Sequence, residues 1–195
     1  MKVGETLCVP NRRTWRTWLA RHHSRKKEIW LVYFKKHTGR PRIPYNDAVE
    51  EALCFGWIDS TVKLIDKDRF AQRFTPRKPT SKLSAMNKER IRRLTRQKKM
   101  TAAGVAAVKH LLRGASPATQ ADDLGRAGAI IAPDVLQALR ADKQIWRNFR
   151  KFPASYKRIR LGWVEGARNR PEIFRKRLAY FLEMTAKNTR FGMVQ

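Results

Sequence analysis

Residues 28–35, with the sequence EIWLVYFK, decide the fold of this chain. Six consecutive aliphatic and aromatic residues stand between a glutamate and a lysine, and five of them are β-branched or aromatic types that favour strands. The run has no polar residue at alternate positions, so it predicts a strand that is buried on both faces. Other elements of the chain must then cover both faces of this strand.

One helix is predicted before the strand in the sequence and one after it. A tryptophan and leucine repeat at helical spacing predicts a helix over residues 12–23. Asp47 and Glu50 have the spacing of a capping box. That spacing predicts a second helix, which ends near Gly56 and carries Trp57 on its apolar face.

The next segments predict a β-hairpin and two more helices. Residues 62–65 and 69–74 alternate between apolar and polar side chains around a polar turn, which is typical of a hairpin. An apolar stripe predicts a helix over residues 84–98, and a further helix is expected over residues 101–112.

The rest of the chain is expected to be helical. Pro133, Pro153 and Pro171 are each placed to open a helix. The predicted fold class is α+β: a small N-terminal sheet, made of the central strand and the hairpin, with helices, followed by a C-terminal helical hairpin. We assign residues 1–113 to the α+β module, residues 114–132 to an Ala/Gly-rich linker, and residues 133–195 to a basic helical region.

Charge is the clearest indication of what the protein binds. The chain has 44 Lys and Arg against 16 Asp and Glu, a formal net charge of +28 in 195 residues. Such a surface attracts polyanions, so the expected partner is nucleic acid, anionic lipid or an acidic protein. The hydrophobic content of 42% indicates that the charge belongs to a folded protein and not to a disordered tail.

Motifs for catalysis or metal binding are missing from the sequence. Cys8 and Cys54 have no CxxC or Cys/His spacing, so we expect no metal site. The sequence has no P-loop or GxGxxG motif, and we expect no cofactor. No paired groups for acid–base chemistry stand out; Asp59 and Glu165 lie beside aromatic residues but are best interpreted as a helix cap or an ion-pair partner. We see no signal peptide and no transmembrane segment, and therefore expect a cytoplasmic protein.

The loop before the helix at residue 84 is the predicted anion site. A helix N-terminus presents free backbone N–H groups and a partial positive charge. Two prolines stiffen the loop, and cationic and hydroxyl side chains surround it. The alternative is that Ser84 simply caps the helix while the cations are solvated. The predicted anion-binding residues are Arg73, Arg77, Lys78, Ser81, Lys82 and Ser84.

Several motifs resemble one known family. GWIDS at residues 56–60 and PRKP at residues 76–79, followed by Ser81, are similar to segments of the YdeI/OmpD-associated family, labelled bacteriocin-protection proteins. Agreement continues into residues 100–104 and 163–168, whereas Leu83 replaces a usual tryptophan and residues 114–132 do not follow the family pattern. The motif residues expected to share a pocket are Trp57, Asp59, Asn87 and Arg90.

The resemblance implies a role without implying a mechanism. It suggests a non-enzymatic envelope or stress function, an association with a porin, and resistance to bacteriocins or cationic antimicrobial peptides. Our leading hypothesis is that the protein acts by binding an anionic partner. The alternatives are a nucleic-acid-binding protein that uses basic helices and the hairpin, and an enzyme with a pocket near Trp57 and Asp59. Direct capture of cationic peptides is disfavoured because like charges repel.

Overall fold

The strand predicted from residues 28–35 is an interior strand of a four-stranded sheet. In the computed structural model, which describes residues 2–81, 83–112 and 131–192, the strand order is β1-β2-β4-β3. β1 runs parallel to β2, and the other two neighbouring pairs are antiparallel. The strands are β1 (Thr6–Leu7), β2 (Ile29–Phe34), β3 (Trp57–Leu64) and β4 (Arg69–Pro76).

Helices account for most of the remaining described residues. The predicted α+β class is confirmed, with helices that continue to the C-terminal part of the chain. The α-helices are α1 (Arg12–His22), α2 (Tyr45–Cys54), α3 (Ala85–Arg96), α4 (Ala102–Leu112), α5 (Pro133–Arg140), α6 (Lys143–Lys151), α7 (Ala154–Glu165) and α8 (Pro171–Ala186). None of the helices described here combines the length and apolar composition of a membrane-spanning helix.

The described residues form two units. The first unit contains residues 2–81 and 90–112, and the second contains residues 83–89 and 131–192. Residues 114–130 of the predicted linker lie outside the described residues. The domain boundaries predicted from the sequence therefore stay a prediction.

The predicted capping box of α2 and the predicted place of Trp57 on the apolar face of this helix are both wrong. The residue before the helix is Pro44, which has no side-chain acceptor, so Asp47 and Glu50 do not form a capping box. The helix ends at Cys54, and Gly56 adopts the left-handed conformation with a φ of 76°. The chain reverses there, and Trp57 begins β3. The GWIDS motif is thus a glycine turn followed by a strand.

The second unit has one helix more than the three prolines predict. α6 begins after Asp142, whose carboxylate accepts hydrogen bonds from the backbone N–H groups of Gln144 (2.6 Å) and Ile145 (2.9 Å). α5 to α8 enclose an apolar core. Its fully buried members include Val135, Leu139, Phe149, Tyr156, Val164 and Phe181.

Gly104 permits close packing between α4 and the end of α2. A side chain at this position would overlap the backbone carbonyl oxygen of Cys54. The same carbonyl accepts hydrogen bonds from the backbone N–H (3.0 Å) and the hydroxyl (2.7 Å) of Thr101. The position therefore requires glycine because the backbones of α4 and α2 approach closely.

We expect G104A to lower the free energy of unfolding by about 3 kcal/mol, because backbone atoms have to move to admit the methyl group. G39A is the control: Gly39 has a φ of 64°, but no atom lies within 4 Å of the place that a Cβ would occupy, so only the backbone conformation is strained. Its expected cost is about 1 kcal/mol. Urea unfolding measures both; equal losses would contradict the close packing.

Candidate functional site

Arg73, the first predicted anion-binding residue, is already paired. It lies on β4, and its guanidinium donates two hydrogen bonds to one carboxylate oxygen of Glu28; the bond from Nε is 2.9 Å long. The pair lowers the pKa of Glu28, mainly through these hydrogen bonds. An anion at this place would have to compete with Glu28 for the same donors.

The other residues of the predicted loop are divided between the two units. Arg77 is buried, which lowers its pKa, and its backbone N–H donates to the carbonyl of Gly56 (2.8 Å). Lys78 is exposed, and its carbonyl accepts from the N–H of Ser81 (3.0 Å). Lys82 lies outside the described residues.

Ser84, in the second unit, caps α3 by accepting a hydrogen bond from the N–H of Asn87 (3.2 Å). This contact is the capping role that the sequence allowed as the alternative to anion binding. A common anion site for the six residues stays a prediction.

Trp57 of the motif pocket lies in the core of the first unit. Its indole is 1% exposed and donates a hydrogen bond to the carbonyl of His23 (3.1 Å). Its ring meets the ring of Trp18 edge to face, with centroids 6.0 Å apart. The side chain fixes β3 against α1, and so little of it is exposed that it offers hardly any surface to a ligand.

Asp59, two residues later, belongs to a polar cluster. Its carboxylate accepts a hydrogen bond of 2.7 Å from the hydroxyl of Tyr45 and one of 3.3 Å from the side-chain amide of Gln72. Gln72 is 4% exposed and also donates to the carbonyl of Ser60 (3.3 Å). The strand β4 and the first turn of α2 thus hold Asp59 from two sides.

Arg90 joins this cluster through its charge. It is buried, and it donates a hydrogen bond of 2.6 Å to the side chain of Asn46, the neighbour of Tyr45. Burial lowers the pKa of Arg90, while the charges of Tyr45, Glu50 and Asp59 oppose that change. The structure therefore brings Asp59 and Arg90 of the predicted pocket together, whereas Asn87 belongs to the second unit.

Tyr45 is a hydrogen-bond donor at neutral pH. Burial and the hydrogen bond to Asp59 raise its pKa to about 12. Burial likewise raises the pKa of Tyr33, which is also affected by Tyr45 and Asp59. Neither phenol is poised to act as a base at neutral pH.

Sequence reasoning missed Tyr45 and Gln72 of this cluster. Gln72 had a detectable signal: it stands between Phe70 and Phe74 on the alternating face of β4 that points to the core. A polar residue at such a position needs a buried partner. Tyr45 had no local signal, since its partner Asp59 is 14 residues away.

Most carboxylates of the described residues form ion pairs with arginine or lysine. Glu50 and Glu51 are almost fully buried, and both bind Arg12, at 3.2 Å and 2.5 Å respectively. Glu51 also binds Arg16 (2.6 Å), and Glu50 binds Arg93. Carboxylates that form ion pairs with arginine or lysine are Glu5, Glu28, Asp47, Glu50, Glu51, Asp66, Glu89, Asp134, Glu165 and Glu183.

One helix of the second unit carries an uncompensated row of cations. Four exposed basic residues of α6 recur at i, i+4, i+7 and i+8, which places them on one face of the helix. No carboxylate of the described residues pairs with any of them. We call this face the α6 cationic face. It consists of Lys143, Arg147, Arg150 and Lys151.

The opposite face of α6 is committed to packing. Phe149 is 1% exposed and meets Phe181 edge to face, with ring centroids 6.2 Å apart. Asn148 donates its side-chain amide to the carbonyls of Thr185 (3.0 Å) and Ala186 (3.1 Å). The core contacts therefore fix which side of the helix the cations occupy.

No metal-binding group of His, Cys, Asp and Glu occurs among the residues that the structure describes.

Two family models match different parts of the chain. Residues 7–107, just over half of the chain, match the family model described as Domain of unknown function (DUF8412). Residues 129–188 match the family model described as Bacteriocin-protection, YdeI or OmpD-Associated, which confirms the resemblance predicted from the sequence. This second match includes residues 163–168, whereas GWIDS and PRKP lie in the first. Comparison with curated proteins and comparison with solved structures each found no match.

The raised pKa of Tyr45 predicts how the stability of the protein depends on pH. The folded state keeps Tyr45 protonated up to a pKa of about 12, from an ordinary value of 10.0. Its contribution to stability is therefore complete below the ordinary pKa and is lost as the pH rises toward the folded pKa, by no more than about 1.4 kcal/mol per pH unit. Y45F removes this dependence.

We expect wild type to be more stable than Y45F by about 1 kcal/mol near neutral pH. The difference should shrink between about pH 10 and about pH 12, the interval in which the unfolded tyrosine ionises first. Denaturant unfolding of both proteins at several pH values measures it. A difference that stays constant across that interval would show that Tyr45 does not donate to Asp59.

Proposed function

The chain belongs to the family described as a domain of unknown function (DUF8412), and from its distribution of charge we propose that it binds nucleic acid by the phosphate backbone, through the α6 cationic face. The observation that carries the proposal is the row of exposed cations on α6, for which the described residues provide no carboxylate. The proposal makes the protein a binding protein and assigns it no reaction.

The length of the row suits a linear polyanion. Lys143 and Lys151 are eight positions apart, which corresponds to about 12 Å along a helix. Duplex DNA presents about seven phosphate charges over that distance. Asp142 occupies the N-terminal N–H groups of α6, so binding relies on the side chains and not on the helix terminus.

An anionic membrane surface fits α6 less well. A helix that lies in a membrane inserts its apolar face among the acyl chains. On α6 that face includes Phe149, which is buried in the core of the second unit, and Trp146, which stacks on it with ring centroids 5.7 Å apart. Lipid headgroups would therefore meet the cations alone, without apolar insertion.

The cytoplasmic location expected from the sequence would bring the protein into contact with nucleic acid, and we include it in the proposal. The family model that matches residues 129–188 is described as Bacteriocin-protection, YdeI or OmpD-Associated. A role of that kind would follow from nucleic-acid binding only indirectly, for instance through a stress response.

Substitution of the four cations by glutamine tests the proposal. The variant K143Q/R147Q/R150Q/K151Q should bind a short duplex at least about tenfold more weakly than wild type at moderate salt. The slope of log K against log salt concentration should fall by about 3 to 4, because four phosphate contacts no longer release counterions. Fluorescence anisotropy over a range of salt concentrations measures both quantities.

The matched control changes the net charge equally at another place. R13Q/R21Q/R25Q/K27Q removes four exposed cations from the first unit, at and after α1. We expect this control to reduce the affinity much less. Equal losses in the two variants would mean that the overall charge, and not the α6 cationic face, binds the duplex. Stronger binding to anionic vesicles than to the duplex would favour a lipid surface and contradict the proposal.

A further inference from the structure

Arg160 is a buried arginine that pairs with no carboxylate of the described residues. It lies on α7 and is 5% exposed. Its Nε is buried and has no hydrogen-bond partner among the described residues. Burial lowers the pKa of its guanidinium. A buried guanidinium that is left unpaired costs several kcal/mol, so the absence of a partner is unusual.

The same helix shows how an arginine is normally compensated. Arg158, two positions earlier, donates from Nε (2.5 Å) and Nη2 (2.7 Å) to the two carboxylate oxygens of Glu89. Arg160 instead lies against three aromatic rings. Its guanidinium carbon is 4.6 Å from the ring centroid of Phe191, 5.7 Å from that of Tyr156 and 5.9 Å from that of Trp163. Such contacts stabilise a cation in part but accept none of its N–H groups.

The segment after α8 completes the surroundings of Arg160. Asn188 adopts the left-handed conformation, and the chain turns back so that Phe191 donates its N–H to the hydroxyl of Tyr156 (3.4 Å). At Gly192 a Cβ would stand 2.8 Å from Nη2 of Arg160, so the bare backbone lies against the guanidinium. Tyr180, which is 43% exposed, packs on Phe191 with ring centroids 4.8 Å apart.

We propose that Arg160, together with Tyr156 and Trp163, forms a binding site for a small phosphorylated ligand. The planar guanidinium presents its N–H groups in a fork that matches the spacing of phosphate oxygens. Arg190 is a second cation that acts on the hydroxyl of Tyr156, and two cations suit a dianion. The rings of Trp163 and Phe191 provide an apolar wall for the part of the ligand that carries the phosphate.

This site is separate from the α6 cationic face and does not depend on it. The α6 cationic face consists of exposed side chains, whereas Arg160 is 5% exposed. Loss of duplex binding in the α6 variant leaves the Arg160 site intact, and failure of the Arg160 site leaves duplex binding intact. The two proposals are therefore tested independently.

Calorimetric titration of the full chain with phenyl phosphate and with inorganic phosphate, at constant ionic strength, tests the site. We expect one phenyl phosphate per chain, and R160M should weaken its binding by about tenfold or more, as loss of charge-assisted hydrogen bonds does. R175M is the control, because Arg175 is exposed on α8 and its replacement changes the net charge by the same amount as R160M does. It should bind as wild type does.

R160K separates a ligand-binding role from a structural one. Lysine keeps the charge but lacks the planar fork, so R160K should bind phenyl phosphate more weakly than wild type and more tightly than R160M. Where R160M does not fold, the comparison of R160K with wild type decides. The proposal is overturned if wild type shows no stoichiometric binding, if R160M or R160K binds as well as wild type, or if R175M loses as much affinity as R160M.

Discussion

The ion pairs of Glu50 and Glu51 with arginines are the interaction that holds the helices of the first unit together. These two carboxylates are 6% and 2% exposed, so they require compensating charges, and Arg12, Arg16 and Arg93 provide them. The pairs connect α1, α2 and α3 within the first unit. They also take acidic groups out of the solvent-facing surface. In a chain with 44 basic and 16 acidic side chains, every carboxylate used inside leaves the exterior more uniformly cationic.

The arginines discussed here have three kinds of surroundings, and each has a different consequence. Arg73 and Arg158 are neutralised by glutamates and act as structural ties. Arg147 and its neighbours on α6 are exposed and remain available to a polyanion. Arg160 is buried against aromatic rings, and its Nε has no acceptor among the described residues. The net charge of +28 is thus a sum over groups with different roles, and only part of it is free to attract partners.

Local patterns predicted much of the fold, while long-range contacts escaped prediction. The apolar run of β2 and the alternation of the hairpin strands reflect how each segment is buried, so both are visible in the sequence. β1 has two residues, too few for any pattern. The role of Arg73 depended on Glu28, 45 positions away, and that of Asp59 on Tyr45. The sequence therefore does not show which of the basic residues the fold pairs with carboxylates.

Lysine footprinting of the wild-type protein tests the central claim most directly. Acetylation of the full chain, with and without a short duplex, followed by mass spectrometry, reports which lysines the nucleic acid covers. The account predicts that Lys143 and Lys151 are protected by the duplex while Lys27, equally exposed in the first unit, reacts as before. Uniform protection of all three, or protection of Lys27 alone, would contradict it.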